Sequence, residues 1–163
     1  LEEEKYFLSL LRFLEAKLNT GKAFDATFAE SREALMKDED CQLLLSALSS
    51  AAPGGLKVKL TALDRLGDKA GEAGYVLQLL RGSLLLGAER PLEAQEILLE
   101  VLQRSPEISS AWKDLGDTYY GQFRANEAWQ CWDMGRSLCP ANPHFREVDQ
   151  LEALLTVTYP EFF

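Results

Sequence analysis

The chain repeats itself. Placing Tyr75 on Ser109, a step of 34 residues, puts Gly82 on Gly116, Leu85 on Tyr119, Glu93-Ala94 on Glu127-Ala128 and Leu98 on Trp132. Val101 then falls on Gly135 and Pro106 on Pro140. A fixed period of this length marks a small unit that cannot bury its apolar face alone and must stack on its neighbours. Gly82, Ala94, Gly116 and Ala128 are small where two helices of one hairpin would approach closely. Trp112, Tyr119 and Trp132 are expected to fill the space between hairpins, burying roughly 150–250 Å² each. Pro106 and Pro140 cannot continue a preceding helix, and Pro91 suits the first turn of one.

Composition agrees with such a fold. The 163 residues suffice for one domain, and 47% hydrophobic with 26% charged residues is a globular balance. Leu is abundant, β-branched residues are few, and no strand-like alternation bounded by turns appears, so the expected class is all-α. Seventeen basic against 26 acidic residues leave a net charge of −9. That excludes general nucleic-acid binding, which needs a basic excess to displace phosphate counterions. No run of about 18 apolar residues is present, so no membrane span is expected.

The second copy reads Trp112-x2-Leu115-Gly116-x2-Tyr119, then Ala128-x3-Trp132-x2-Gly135, then Pro140. This resembles the tetratricopeptide repeat (TPR), with Trp132 at the usual aromatic position and Gly135 where Ala is usual. The first copy keeps Gly82, Ala94 and Pro106, while Gln78, Arg81 and Leu85 stand for Trp, Leu and Tyr. The resemblance covers residues 75–142. It implies a right-handed array of antiparallel helix hairpins, a TPR-like solenoid, with repeats at 75–108 and 109–142.

Around the two repeats the expected single domain, 1–163, continues in helices. Residues 1–40 hold an amphipathic helix, Glu2–Leu18, with Phe7, Leu10, Leu11, Leu14 and Leu18 on one side. Glu2, Glu3 and Glu4 favour its N-terminus and Gly21 ends it. A second helix spans Phe24–Met36, with Phe24, Phe28 and Leu35 inward. Residues 41–74 form a degenerate TPR-like hairpin, Asp40–Ala51 and Leu56–Leu66, broken by Pro53-Gly54-Gly55. Residues 143–163 form a capping helix, entered through Asn142 and running to about Thr158, and a tail. The tail, Tyr159-Pro160-Glu161-Phe162-Phe163, reads as packed on that helix or as a docking segment. Starting at Leu1 without a leader, the chain is expected to be a mature form or an excised domain.

Chemistry is harder to find. Cys41, Cys131 and Cys139 are odd in number, and the last two sit about 12 Å apart on one helix, too far for a disulfide. Free thiols in a reducing, cytoplasmic setting are expected. His144 with Cys131 and Cys139 matches no zinc spacing and reads as a surface or capping residue. Asp114 and Asp117 share a helix face and read as a solvated face or an acidic peptide-binding patch. Ser49-Ser50 and Ser109-Ser110 read as helix ends. No phosphate loop, nucleophile elbow or metalloprotease motif is present, so neither catalysis, cofactor nor metal is expected.

The TPR resemblance implies a concave face lined by the second, fifth, ninth and twelfth repeat positions. These are Val76, Leu79, Ser83 and Leu86 in the first copy and Ser110, Lys113, Asp117 and Tyr120 in the second. His144 and Glu147 continue the line on the last helix. Some family members clamp a carboxylate there with Lys and Asn. Ser83 and Asp117 replace Asn, and His144 and Val148 replace Lys and Arg, which argues against such a clamp. Residues 75–163 carry seven basic and 13 acidic side chains. The expected function is therefore a non-enzymatic protein–protein interaction module or scaffold, an adaptor whose groove takes a peptide, helix or subunit, apolar with a basic flank. Two other readings stand beside it. One is an accessory docking domain of a larger enzyme, and the other is self-association through the N-terminal hairpins.

Overall fold

A computed structural model of the chain describes residues 2–21, 26–49 and 54–162. The helices are α1 (Glu2–Thr20), α2 (Ala26–Leu35), α3 (Glu39–Leu48), α4 (Leu56–Ala70), α5 (Gly74–Gly87), α6 (Pro91–Arg104), α7 (Ser109–Tyr120), α8 (Ala125–Leu138) and α9 (Arg146–Thr158). Short 3₁₀ turns occupy Gly71–Ala73, Pro143–Phe145 and Pro160–Phe162. The described residues contain no strand, so the class is all-α.

Helix boundaries follow local chemistry. Gly21 ends α1 at φ +68, a left-handed conformation that favours glycine. The Asp38 carboxylate opens α3 by accepting from the Cys41 N–H at 2.9 Å. Pro91 opens α6, which closes before Pro106, and α8 closes before Pro140. The helix expected over Leu56–Leu66 runs on to Ala70, because Gly67 faces open space and costs no packing, while Ala70 is buried. Phe24, Ser50, Ala51, Pro53 and Phe163 lie outside the described residues, as does the side chain of Phe162.

The two 34-residue copies build the same turn. Glu89 and Phe123, equivalent positions, adopt φ values of 61 and 62. The Arg90 N–H bonds the Leu85 carbonyl at 2.9 Å, and the Arg124 N–H bonds the Tyr119 carbonyl at 3.0 Å. Arg90 then pairs with Glu93, and Arg124 with Glu127, each three residues on. Contacts within each copy run antiparallel, Gly82 against Leu98 and Gly116 against Trp132.

The copies differ in how tightly they close. A Cβ on Gly82 would meet Leu98 at 3.4 Å, an ordinary contact. A Cβ on Gly116 would land on the Trp132 indole and lie 3.0 Å from the Ala128 carbonyl. Gly135, where the repeat pattern has Ala, has equally little room: its Cβ would strike Phe145 and lie 2.9 Å from the Ser109 carbonyl. Trp132 is buried as expected, whereas Trp112 and Tyr119 are half-buried. The Trp112 indole N–H bonds the Pro106 carbonyl at 2.7 Å, and Tyr119 lies beneath the Arg124 guanidinium.

The core forms three buried clusters in chain order: α1 to α5, then α5 to α8, then Ala128, Trp132, Phe145 and Val148. One arrangement departs from sequence order. α1 lies across α3, α4, α5 and α7 as well as touching α2. Phe7, Leu10, Leu11 and Leu14 are all 3% exposed or less, buried in the first cluster with Leu44, Leu66 and Val76.

Candidate functional site

The crossing of α1 divides the expected site residues into two groups. Val76 lies in the cluster that α1 closes, and Leu79 is buried beside Leu98, Ile108 and Ala111. Ser110 is buried because the Asn142 amide donates to its hydroxyl at 3.1 Å and to that of Ser109 at 3.0 Å. These three expected partner-binding residues are covered in this conformation. Leu86 is half-buried against the second cluster.

Two clefts remain on either side of this junction. The first, about 520 Å³, joins Ser83, Ser110 and His144 to Leu14, Lys17 and Leu18 of α1. Its polar end is the pair His144–Asp114, Nε2 to Oδ1 at 3.0 Å. Asp114 is 8% exposed, so it does not stand on a solvated face as expected from sequence. The side-chain amide of Asn142 shapes this end too, its oxygen accepting from the His144 N–H at 2.9 Å. Tyr75 anchors α1 to α5 nearby: burial, a hydrogen bond to Glu15, and the charges of Glu15 and Glu107 push its phenol up to about 12.

The second cleft, about 280 Å³, brings together Lys113, Asp117, Tyr120 and Glu147. Trp132, Val148 and Leu151 supply its apolar walls. Lys113 reaches one Asp117 oxygen at 2.5 Å, and the Trp132 indole N–H donates to the other at 3.1 Å. Burial raises the Asp117 carboxyl above its ordinary value; the Lys113 bond and charge oppose this, and the Asp114 charge adds to it. Tyr120 is 47% exposed and its ring lies 5.4 Å from that of Trp132, so the mouth is aromatic.

Sequence reasoning missed Leu151, which lines the second cleft. The 34-residue step that turns Lys113 into Glu147 also turns Asp117 into Leu151 and Tyr120 into Leu154, a signal present in the repeat phase. It missed the path of α1 entirely.

Two buried cysteines are held as protonated thiols. Burial, then the Asp38 hydrogen bond and the charges of Asp38 and Asp40, push the Cys41 thiol up to about 12. Burial and Glu127 push that of Cys131 to about 11. All three cysteines are unpaired to one another, Cys139 approaching the Thr20 carbonyl at 3.9 Å. Among the described residues no group of three or more His, Cys, Asp or Glu side chains is placed to hold a metal, and no helix is long and apolar enough to cross a membrane. Comparison with protein-family models, curated proteins and solved structures returned no match.

Proposed function

We propose that the chain is a TPR-like helical array acting as a non-enzymatic interaction module, and that its partner's seat is the cleft between α7, α8 and α9. The observation that carries this is the convergence of Lys113, Asp117, Tyr120 and Glu147 on one open cleft, from positions that the TPR resemblance implies for a single face. The matched turns at Glu89 and Phe123 support the repeat reading independently. α1 covers the opposite half of that face, so the groove is shorter than the resemblance alone implies. The occupant is a peptide or helix inserting an apolar side chain against Tyr120, Trp132 and Leu151, with a basic residue reaching Glu147. Buried Lys113 and half-buried Asp117 hold the floor in shape and leave Glu147 to select charge.

A selection of displayed peptides on the immobilised chain tests this. Selected peptides are expected to combine apolar and basic residues, and to lose about tenfold in affinity on Tyr120→Ala, an exposed-residue change. Peptides indifferent to Tyr120→Ala and Glu147→Gln would remove the cleft as the seat.

A further inference from the structure

The outer edge of the molecule, where α9 leaves α8, combines an open apolar wedge with unbalanced charge. Phe145 and Val148 seat the start of α9 against Trp132, and Leu151 is half-buried. Beyond them Leu154 and Val157 are 63% and 83% exposed. The α9 backbone also approaches α8 less closely than α7 approaches α6. A wedge of about 750 Å³ opens there, with Trp129, Leu155 and Tyr159 inside and Asp133 and Glu152 at its rim. The terminal unit of a stacked array keeps a polar outer face when water is its only neighbour. This face instead mixes exposed Leu154, Val157 and Tyr159 with Asp149, Gln150 and Thr156.

Its charge identifies the occupant. Arg136 faces three carboxylates at once, those of Asp133, Asp149 and Glu152, at 2.6, 3.1 and 2.5 Å. One guanidinium cannot balance them, and residues 125–163 carry two basic against six acidic side chains. We propose that this wedge docks a basic amphipathic helix of a partner protein, its apolar face on Trp129, Leu155 and Tyr159 and its Lys or Arg residues on the Asp133–Glu152 rim. A second copy is the poorer occupant, since it would set one acidic α9 against another. Leu155 and Tyr159 do not line the cleft at Glu147, so the proposal does not depend on the groove reading.

The test is calorimetric titration of the whole chain with two synthetic amphipathic peptides of about 18 residues, one of Leu and Lys, the other of Leu and Glu. The Lys peptide is expected to bind at micromolar concentration, more weakly at high salt, and the Glu peptide not at all. The double change Leu155→Ser and Tyr159→Ser should weaken binding about tenfold, and Asp133→Lys similarly. Equal binding of both peptides, or of wild type and variants, would overturn the proposal. So would no binding, or loss of binding through Tyr120→Ala instead. A concentration-dependent dimer abolished by the double change would assign the wedge to a second copy.

Discussion

Gly21 and Asn142 touch: a Cβ on Gly21 would land on the side-chain oxygen of Asn142. The contact joins the end of α1 to the turn before α9. Asn142 is only 3% exposed and holds Ser109, Ser110 and the His144 N–H at once, so it has nowhere to move. Gly21→Ala adds a left-handed φ penalty of about 1–2 kcal/mol to the cost of disturbing these bonds, about 1–3 kcal/mol. Gly71→Ala, at φ +55 and ψ −127 with nothing within 4 Å, should show a backbone penalty of its own region and no contact cost. Urea unfolding of both variants measures these losses.

The two hairpins should respond oppositely to one substitution. Gly82→Ala meets Leu98 at an ordinary distance and gains helix propensity, so stability should hold or rise by up to about 1 kcal/mol. Gly116→Ala must displace the Trp132 indole from its bonds to Asp117 and the Lys113 carbonyl. It should lose roughly 2 kcal/mol or more by thermal unfolding. Equal effects would contradict the difference in closure between the copies.

Acid should treat Asp117 unlike an ordinary surface carboxylate. Its folded value is raised, chiefly by burial, so the folded chain binds its proton more readily than the unfolded one. The associated stability is present below the unfolded value of about 3.9 and lost as pH rises through the folded value. The stability of wild type relative to Asp117→Asn should therefore fall as pH rises through that window and level off by neutrality. Paired urea titrations from acid to neutral pH measure this difference, and a rise in place of the fall would refute it.

Arg136 is the polar tie between α8 and α9. Arg136→Ala should change global stability by only about 1 kcal/mol, since its partners are largely exposed. Amide exchange in α9 should nevertheless accelerate, while that of α7 stays slow. Uniform acceleration across the chain would show that α9 is not separately tethered.

The helices were legible because their punctuation is local. Gly21, Pro91, Pro106 and Pro140 act through backbone geometry within a turn or two. Lys113, Asp117, Tyr120 and Glu147 could be grouped because the TPR resemblance implies one face for their repeat positions. The burial of Val76, Leu79 and Ser110 could not be read in this way, because it depends on packing between distant segments. α1 has the same amphipathic pattern whether it caps the array or crosses it. Asp114 looks solvated in sequence because His144, its partner, sits on another element. Gly135 looked like an ordinary exchange for Ala until Phe145 and the Ser109 carbonyl closed around it.

The crossing of α1 over α7 changes how the whole chain can gain its structure. A row of hairpins joined only to neighbours can melt and form piecemeal, each unit reporting its own stability. Here α1 rests on a helix made of residues 109–120, so its seat is incomplete until residue 120 has been synthesised. During translation α1 must wait while α3 to α6 pair beside it. Once α7 arrives, α1 and α7 lock together, and the stretch between them becomes one cooperative unit.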